Sequence, residues 1–188
     1  MTAQHHLLWI TSRAAGSAAL VCASISVAIG LTISRRAAGD RMTLKAAHES
    51  LSLATLVLVG IHGAALLGDS YLRPGVAGVL VPFATPYRPA WTAAGIVSGY
   101  GLSLLGLTYY LRGRVGPNRW KSAHRFVSVF WALGIAHTAG AGTDAGQVWF
   151  LVGMGCAVLP AAVLLAGRLA RSAPATLTGD AVRDGGWP

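Results

Sequence analysis

Charge is what this sequence has least of. Among its 188 residues 15 are Lys or Arg and 6 are Asp or Glu, together 11%, where an average soluble domain carries about 25%. That scarcity excludes an ordinary soluble domain. With 54% hydrophobic residues and a mean hydropathy of +0.56, the composition is that of a membrane protein. Cysteine is nearly absent: Cys22 and Cys156 lie in separate apolar runs with no metal-type spacing, so both are read as buried small side chains. A Gly-rich strand-to-helix turn of the dinucleotide-binding type is also missing. The length holds about five spans of about 20 residues with short loops, which leaves no room for a second folded domain. The net charge of +9 does not point to nucleic acid, because the Lys and Arg residues cluster in short stretches between apolar runs. That is the pattern of the positive-inside rule.

Five apolar stretches stand out: 14–34, 46–68, 90–111, 122–141 and 148–167. Each is long enough to cross about 30 Å of hydrocarbon as a helix. A cleavable signal peptide is the competing reading of the first; its weakly charged start and the Arg35–Arg36 pair behind it favour a retained span. Arg35, Arg36, Arg41 and Lys45 follow span one, Arg112, Arg114, Arg119 and Lys121 follow span three, and Arg168, Arg171 and Arg183 follow span five. The opposite loops hold only Arg13, Arg73 and Arg88, beside Asp69 and Asp144. The expectation is an all-α polytopic bundle with its N-terminus outside and its C-terminus in the cytoplasm. Residues 1–13 form an N-terminal interfacial segment in this reading, 14–167 the transmembrane bundle and 168–188 a disordered cytoplasmic tail. The apolar, Pro-rich loop 69–89 is expected in the outer interface or partly re-entrant.

Four of the six histidines bracket two spans. His48 and His124 each lie three residues after a lysine, Lys45 and Lys121, at the cytoplasmic ends of spans two and four. His62 and His137 lie 14 and 13 residues further on, toward the outer ends. The levels are separated by roughly 20 Å at 1.5 Å per residue. Ionisable side chains within spans are costly and are functional candidates by default. Neutral imidazole is the usual axial ligand of haem iron, and two such ligands suit electron transfer rather than oxygen binding. Small residues beside the histidines, such as Gly60, Gly63 and Gly134, admit a flat macrocycle but also mark ordinary helix packing. On an ideal helix His48 and His62 lie about 40° apart, while His124 and His137 lie roughly 140° apart. Either span four departs from ideal geometry or its histidines reach their cofactors from different sides. The remaining pair, His5 and His6, reads as solvated.

These spacings, with "LLWITSRAAG", "VPFATPYRPAW" and "HTAGAGTD", resemble the ferric-reductase-like transmembrane domain. That family comprises the haem-binding membrane module of ferric reductases, NADPH oxidases and the bacterial methionine-sulfoxide repair haem subunit, and this chain looks like a standalone bacterial member. The resemblance covers the chain to about residue 165. It implies bis-His b-type haem, two groups or one, with His48 and His124 on the inner iron and His62 and His137 on the outer. It further implies an oxidoreductase component of the bacterial plasma membrane that lacks its own flavin and nicotinamide domain. Electrons would come from a separate reductase protein or a quinol and leave to a periplasmic or extracellular acceptor.

Haem propionates need cationic partners. Arg125, Arg41, Lys45 and Lys121 are the inner candidates, and Arg73 and Arg88 the outer ones, for propionates or an anionic substrate such as a ferric chelate. The rival expectation is a haem-free transporter or assembly subunit whose histidines line a proton or metal path.

Overall fold

The computed structural model describes residues 3–33, 38–70 and 72–172, and among these it contains helices, turns and no strand. The elements are α1 (Ala3–Ile33), α2 (Ala38–Leu67), α3 (Gly75–Leu80), α4 (Pro89–Leu107), α5 (Arg112–Val115), α6 (Pro117–His124), α7 (Val127–Ala141) and α8 (Val148–Ser172), with a 3₁₀ turn over Thr108–Leu111. Four helices are long and apolar enough to cross a membrane: Leu7–Ile33, Asp40–Leu67, Pro89–Val115 and Val148–Ser172. The expectations for Arg35, Arg36, Arg183 and most of the tail fall outside the described residues. From Ala3 onward the N-terminal segment is helical and continuous with the first span as α1.

Proline marks two helix starts. Pro89 opens α4 and Pro117 opens α6, where a missing N–H costs nothing because the first-turn donors have no intrahelical partner. Gly116, at φ +94°, makes the turn into Pro117 that a side chain would resist.

The expected fourth span is not one helix. Helix α6 ends at His124, Arg125 and Phe126 form a turn, and α7 begins at Val127. The Phe126 N–H bonds back to Ala123, an i→i−3 contact that tightens the turn. The tandem nevertheless runs the length of α4 in the opposite direction. His137 meets Trp91 at the start of α4 and Phe130 meets Ser98 in its middle. The chain therefore passes along the bundle five times, and a phase counted on an ideal helix does not carry across the break.

Helix α1 is the centre of the bundle, packed along α2 on one side and against α8 and α7 on others. Its face toward α2 repeats every 3.5 residues with small side chains: Ser12, Gly16, Ala19, Ala23, Ser26 and Gly30. Small residues at that period let two helices approach closely. The buried core joins Leu20, Ala23 and Val27 of α1 to Trp131 of α7 and Ala161 of α8. The Trp131 indole N–H donates to Ser24 Oγ at 3.0 Å, and Ser24 donates to the Leu20 carbonyl at 2.7 Å. Replacing Trp131 with Phe removes that donor and is expected to cost about 1 kcal/mol, read as a lowered thermal midpoint in detergent. Helix α8 touches mainly α1, so Cys156 is exposed and Cys22 half-buried, unlike the buried pair the sequence implied.

Candidate functional site

Two hairpins build the site. Helix α1 packs closely on α2, and α4 packs closely on α7, but α2 makes few contacts with α4 and is held apart from α7. The result is a slot between the hairpins, and all four span histidines reach it. His48 of α2 meets His124 at the end of α6, with ring centres 6.2 Å apart and planes at 81°. His62 of α2 meets His137 of α7, also at 6.2 Å, with planes at 75°. Because the break at Arg125–Phe126 resets the helical phase, both rings of the tandem face α2.

The distance has a chemical meaning. With a metal–nitrogen bond of about 2.0 Å and a ring nitrogen about 1.1 Å from the ring centre, two imidazoles on opposite sides of one metal lie about 6.2 Å apart. An ordinary edge-to-face ring pair falls in the same range, so ring orientation is what discriminates. The Nδ1 atoms of three histidines bond backbone carbonyls: His48 to Ser26 at 2.9 Å, His62 to Ser12 at 2.7 Å and His137 to Trp91 at 2.9 Å. An Nδ1–H so held leaves Nε2 as the free, basic nitrogen, the arrangement of metal-ligating histidines. His124 differs. Its Nδ1 has no hydrogen bond of good geometry; Leu105 supplies the backbone carbonyl that interacts with it, and its ring stacks on Trp120 at 4.7 Å.

Glycines give the rings room. A Cβ at Gly16 would lie 3.0 Å from His62 Nδ1, one at Gly30 3.2 Å from His48 Cε1, and one at Gly95 2.5 Å from His137 Nδ1. The His62–His137 level opens into a cavity of about 570 Å³ between α2 and α4, which α3 closes on one side through Val79 and Leu80. Tyr100 of α4 ties that wall down by donating to the Leu80 carbonyl at 2.6 Å. Among the described residues no group of three or more His, Cys, Asp or Glu is placed to hold a metal ion. Two imidazoles alone suit a metal that brings further ligands of its own, and the cavity at the His62–His137 level is the space the described residues leave for such a group.

The cations singled out in the sequence lie at the surface. Arg73 donates to the Ser70 carbonyl at 2.8 Å and Arg88 to the Gly140 carbonyl. Both are exposed, both have positive φ, and neither lines the cavity. Arg125 is exposed and donates to Ser122 Oγ at 2.8 Å, one turn back on α6. The cation in the cavity wall is Arg13, paired with Asp144 and lying over the Trp9 ring at 4.0 Å. Glu49 accepts from Tyr110 at 2.8 Å.

The Arg13 and Asp144 side chains are 30% and 18% exposed. That lies between exposed pairs worth roughly 0.2–1 kcal/mol and buried ones whose breaking costs about 3–5 kcal/mol, so Asp144→Ala is expected to cost about 1–2 kcal/mol. Thermal unfolding in detergent measures it.

Reasoning from sequence missed Arg13, Gly95 and the serines and glycines of α1. Only the last had a legible signal, the 3.5-residue run of small side chains. Compared with known proteins, the chain matches no protein-family profile, no curated protein and no solved structure.

Proposed function

We propose that this chain is a membrane cytochrome that holds a b-type haem at each histidine pair and moves electrons across a bacterial plasma membrane. The observation that carries the reading is recurrence: one bis-imidazole geometry at 6.2 Å occurs at two levels of one slot. Iron held by two imidazoles has no open position and supplies one-electron chemistry without binding oxygen. The chain's own part is to fix the rings. His48 and His124 serve the inner centre and His62 and His137 the outer one, and the backbone carbonyls of Ser26, Ser12 and Trp91 hold three of them in one tautomer. The apolar walls of α2 and α4 exclude water from the slot.

Orientation follows from charge. Arg41, Lys45, Arg112, Arg114, Arg119 and Lys121 gather at the His48–His124 end, which makes that end cytoplasmic. The five passes are then five membrane crossings, with the N-terminus outside and the C-terminus inside. Arg125 and Lys121 serve inner propionates, and Arg13 is better placed than Arg73 or Arg88 for an outer one. The resemblance to the ferric-reductase-like domain supports the same reading. It adds a separate donor, a reductase protein or a quinol, and an outer acceptor of the ferric-chelate kind.

Sealed vesicles containing the purified protein and a trapped reductant test this. They are expected to reduce an external ferric chelate faster than protein-free vesicles and faster than vesicles carrying His48→Ala. Equal rates in all three overturn transmembrane electron transfer.

A further inference from the structure

Helix α1 contributes neither ring of the two histidine pairs, yet it meets the two rings of α2 in the same way twice. Ser12 and Gly16 meet His62; Ser26 and Gly30 meet His48. The two sets stand 14 residues apart, as the two histidines do, in reversed order because α1 and α2 run antiparallel. Fourteen residues are two heptads, so both sets occupy the same position in the seam.

The contacts have a consistent polarity. Nδ1 of His62 lies 2.7 Å from the Ser12 carbonyl and 3.0 Å from its hydroxyl. That hydroxyl donates to the His62 backbone carbonyl at 3.3 Å, so its lone pairs face the ring. Around His48 the distances are 2.9, 2.9 and 3.3 Å, and the Ser26 hydroxyl also contacts Ser52 Oγ at 2.8 Å. Each ring N–H is therefore shared between a serine's carbonyl and its hydroxyl. Each glycine removes the Cβ that would push on that ring. The intervening seam positions, Ala19 and Ala23, carry alanine. Glycine occurs in the seam only where a ring passes.

We propose that these are positioning residues, Ser12 and Gly16 for the outer centre and Ser26 and Gly30 for the inner one, and that α1 tunes the two centres separately. This rests on the haem reading above. Hydrogen-bond acceptors at Nδ1 make the ligand more basic, which favours the ferric state. Removing the hydroxyl is then expected to move the affected centre to a more positive potential.

The experiment is an optical redox titration of the full-length protein in mild detergent, comparing wild type with Ser12→Ala, Ser26→Ala, Gly16→Ala and Gly30→Ala. The outer transition is identified as the one His62→Ala deletes, the inner as the one His48→Ala deletes. Ser12→Ala and Gly16→Ala are expected to shift the outer transition alone, and Ser26→Ala and Gly30→Ala the inner alone. The serine variants carry the test if a glycine variant fails to accumulate, because alanine is a good helix former and only a hydroxyl is lost. Two transitions that move together in every variant, or that none of the four moves, overturn the inference and leave the haem reading intact. A wild-type protein without haem overturns the reading and the inference with it.

Discussion

If the proposed haems are present, alanine at His62 or His137 is expected to remove one of two redox centres and leave the other, and alanine at His48 or His124 to do the reverse. The expected loss is a whole haem, two per chain falling to one, because a bis-imidazole site depends on both rings. Perturbing a residue that merely supports a metal ligand costs about 10–100-fold in affinity, and removing the ligand itself goes further. Level specificity is the informative part. Each pair closes at 6.2 Å without contribution from the other, and the levels lie about 20 Å apart along α2. A general unfolding of the bundle would remove both centres together. Haem content per chain, with a count of redox transitions, reads the outcome, and four variants that all keep two haems would show that these rings are not ligands.

Gly95→Ala is expected to be nearly as damaging as loss of His137, although no ligand is touched. A Cβ there would lie 2.5 Å from Nδ1 and 2.6 Å from Cγ of the His137 ring, closer than atoms pack. The ring cannot retreat while its Nδ1–H is held by Trp91 at 2.9 Å, and α4 cannot retreat because it packs along α7. The opposing effect is small: alanine is the better helix former by about 1 kcal/mol, so conformational preference alone would make the substitution stabilising. Steric exclusion is expected to win, with loss of the outer haem and retention of the inner one. Gly153→Ala on α8 is the matched comparison, since a Cβ at Gly153 meets nothing within 4 Å and the residue lies outside the cavity lining. It is expected to keep both haems at an unchanged or raised thermal midpoint.

What the sequence made legible depends on which quantities are additive along a chain. Depth is one: rise per residue accumulates evenly, so counting from Lys45 and Lys121 was enough to match His48 with His124 and His62 with His137 in height. Helical character was legible for the same reason, through the length and apolarity of the long helices. Azimuth is not additive across an interruption. The turn at Arg125–Phe126 carries neither glycine nor proline to announce it, so the apparent 140° conflict between His124 and His137 had no resolution in the sequence. The bonding partners of the cations were not legible, because a residue's loop does not say where its side chain bonds. Arg73 and Arg88 are held by nearby carbonyls, while Arg13, placed in an interfacial segment, belongs to a helix that lines the cavity. The support from α1 was visible as a small-residue seam, but its meaning required knowing that α2 lies opposite.

The proposal that two imidazole pairs each hold an iron porphyrin is tested by the haem-to-protein ratio of the purified protein combined with a redox titration. Two haems per chain and two one-electron transitions are expected, each deleted separately by alanine at its own histidines. A folded, colourless protein without a reducible absorption band would contradict it and favour a haem-free transporter.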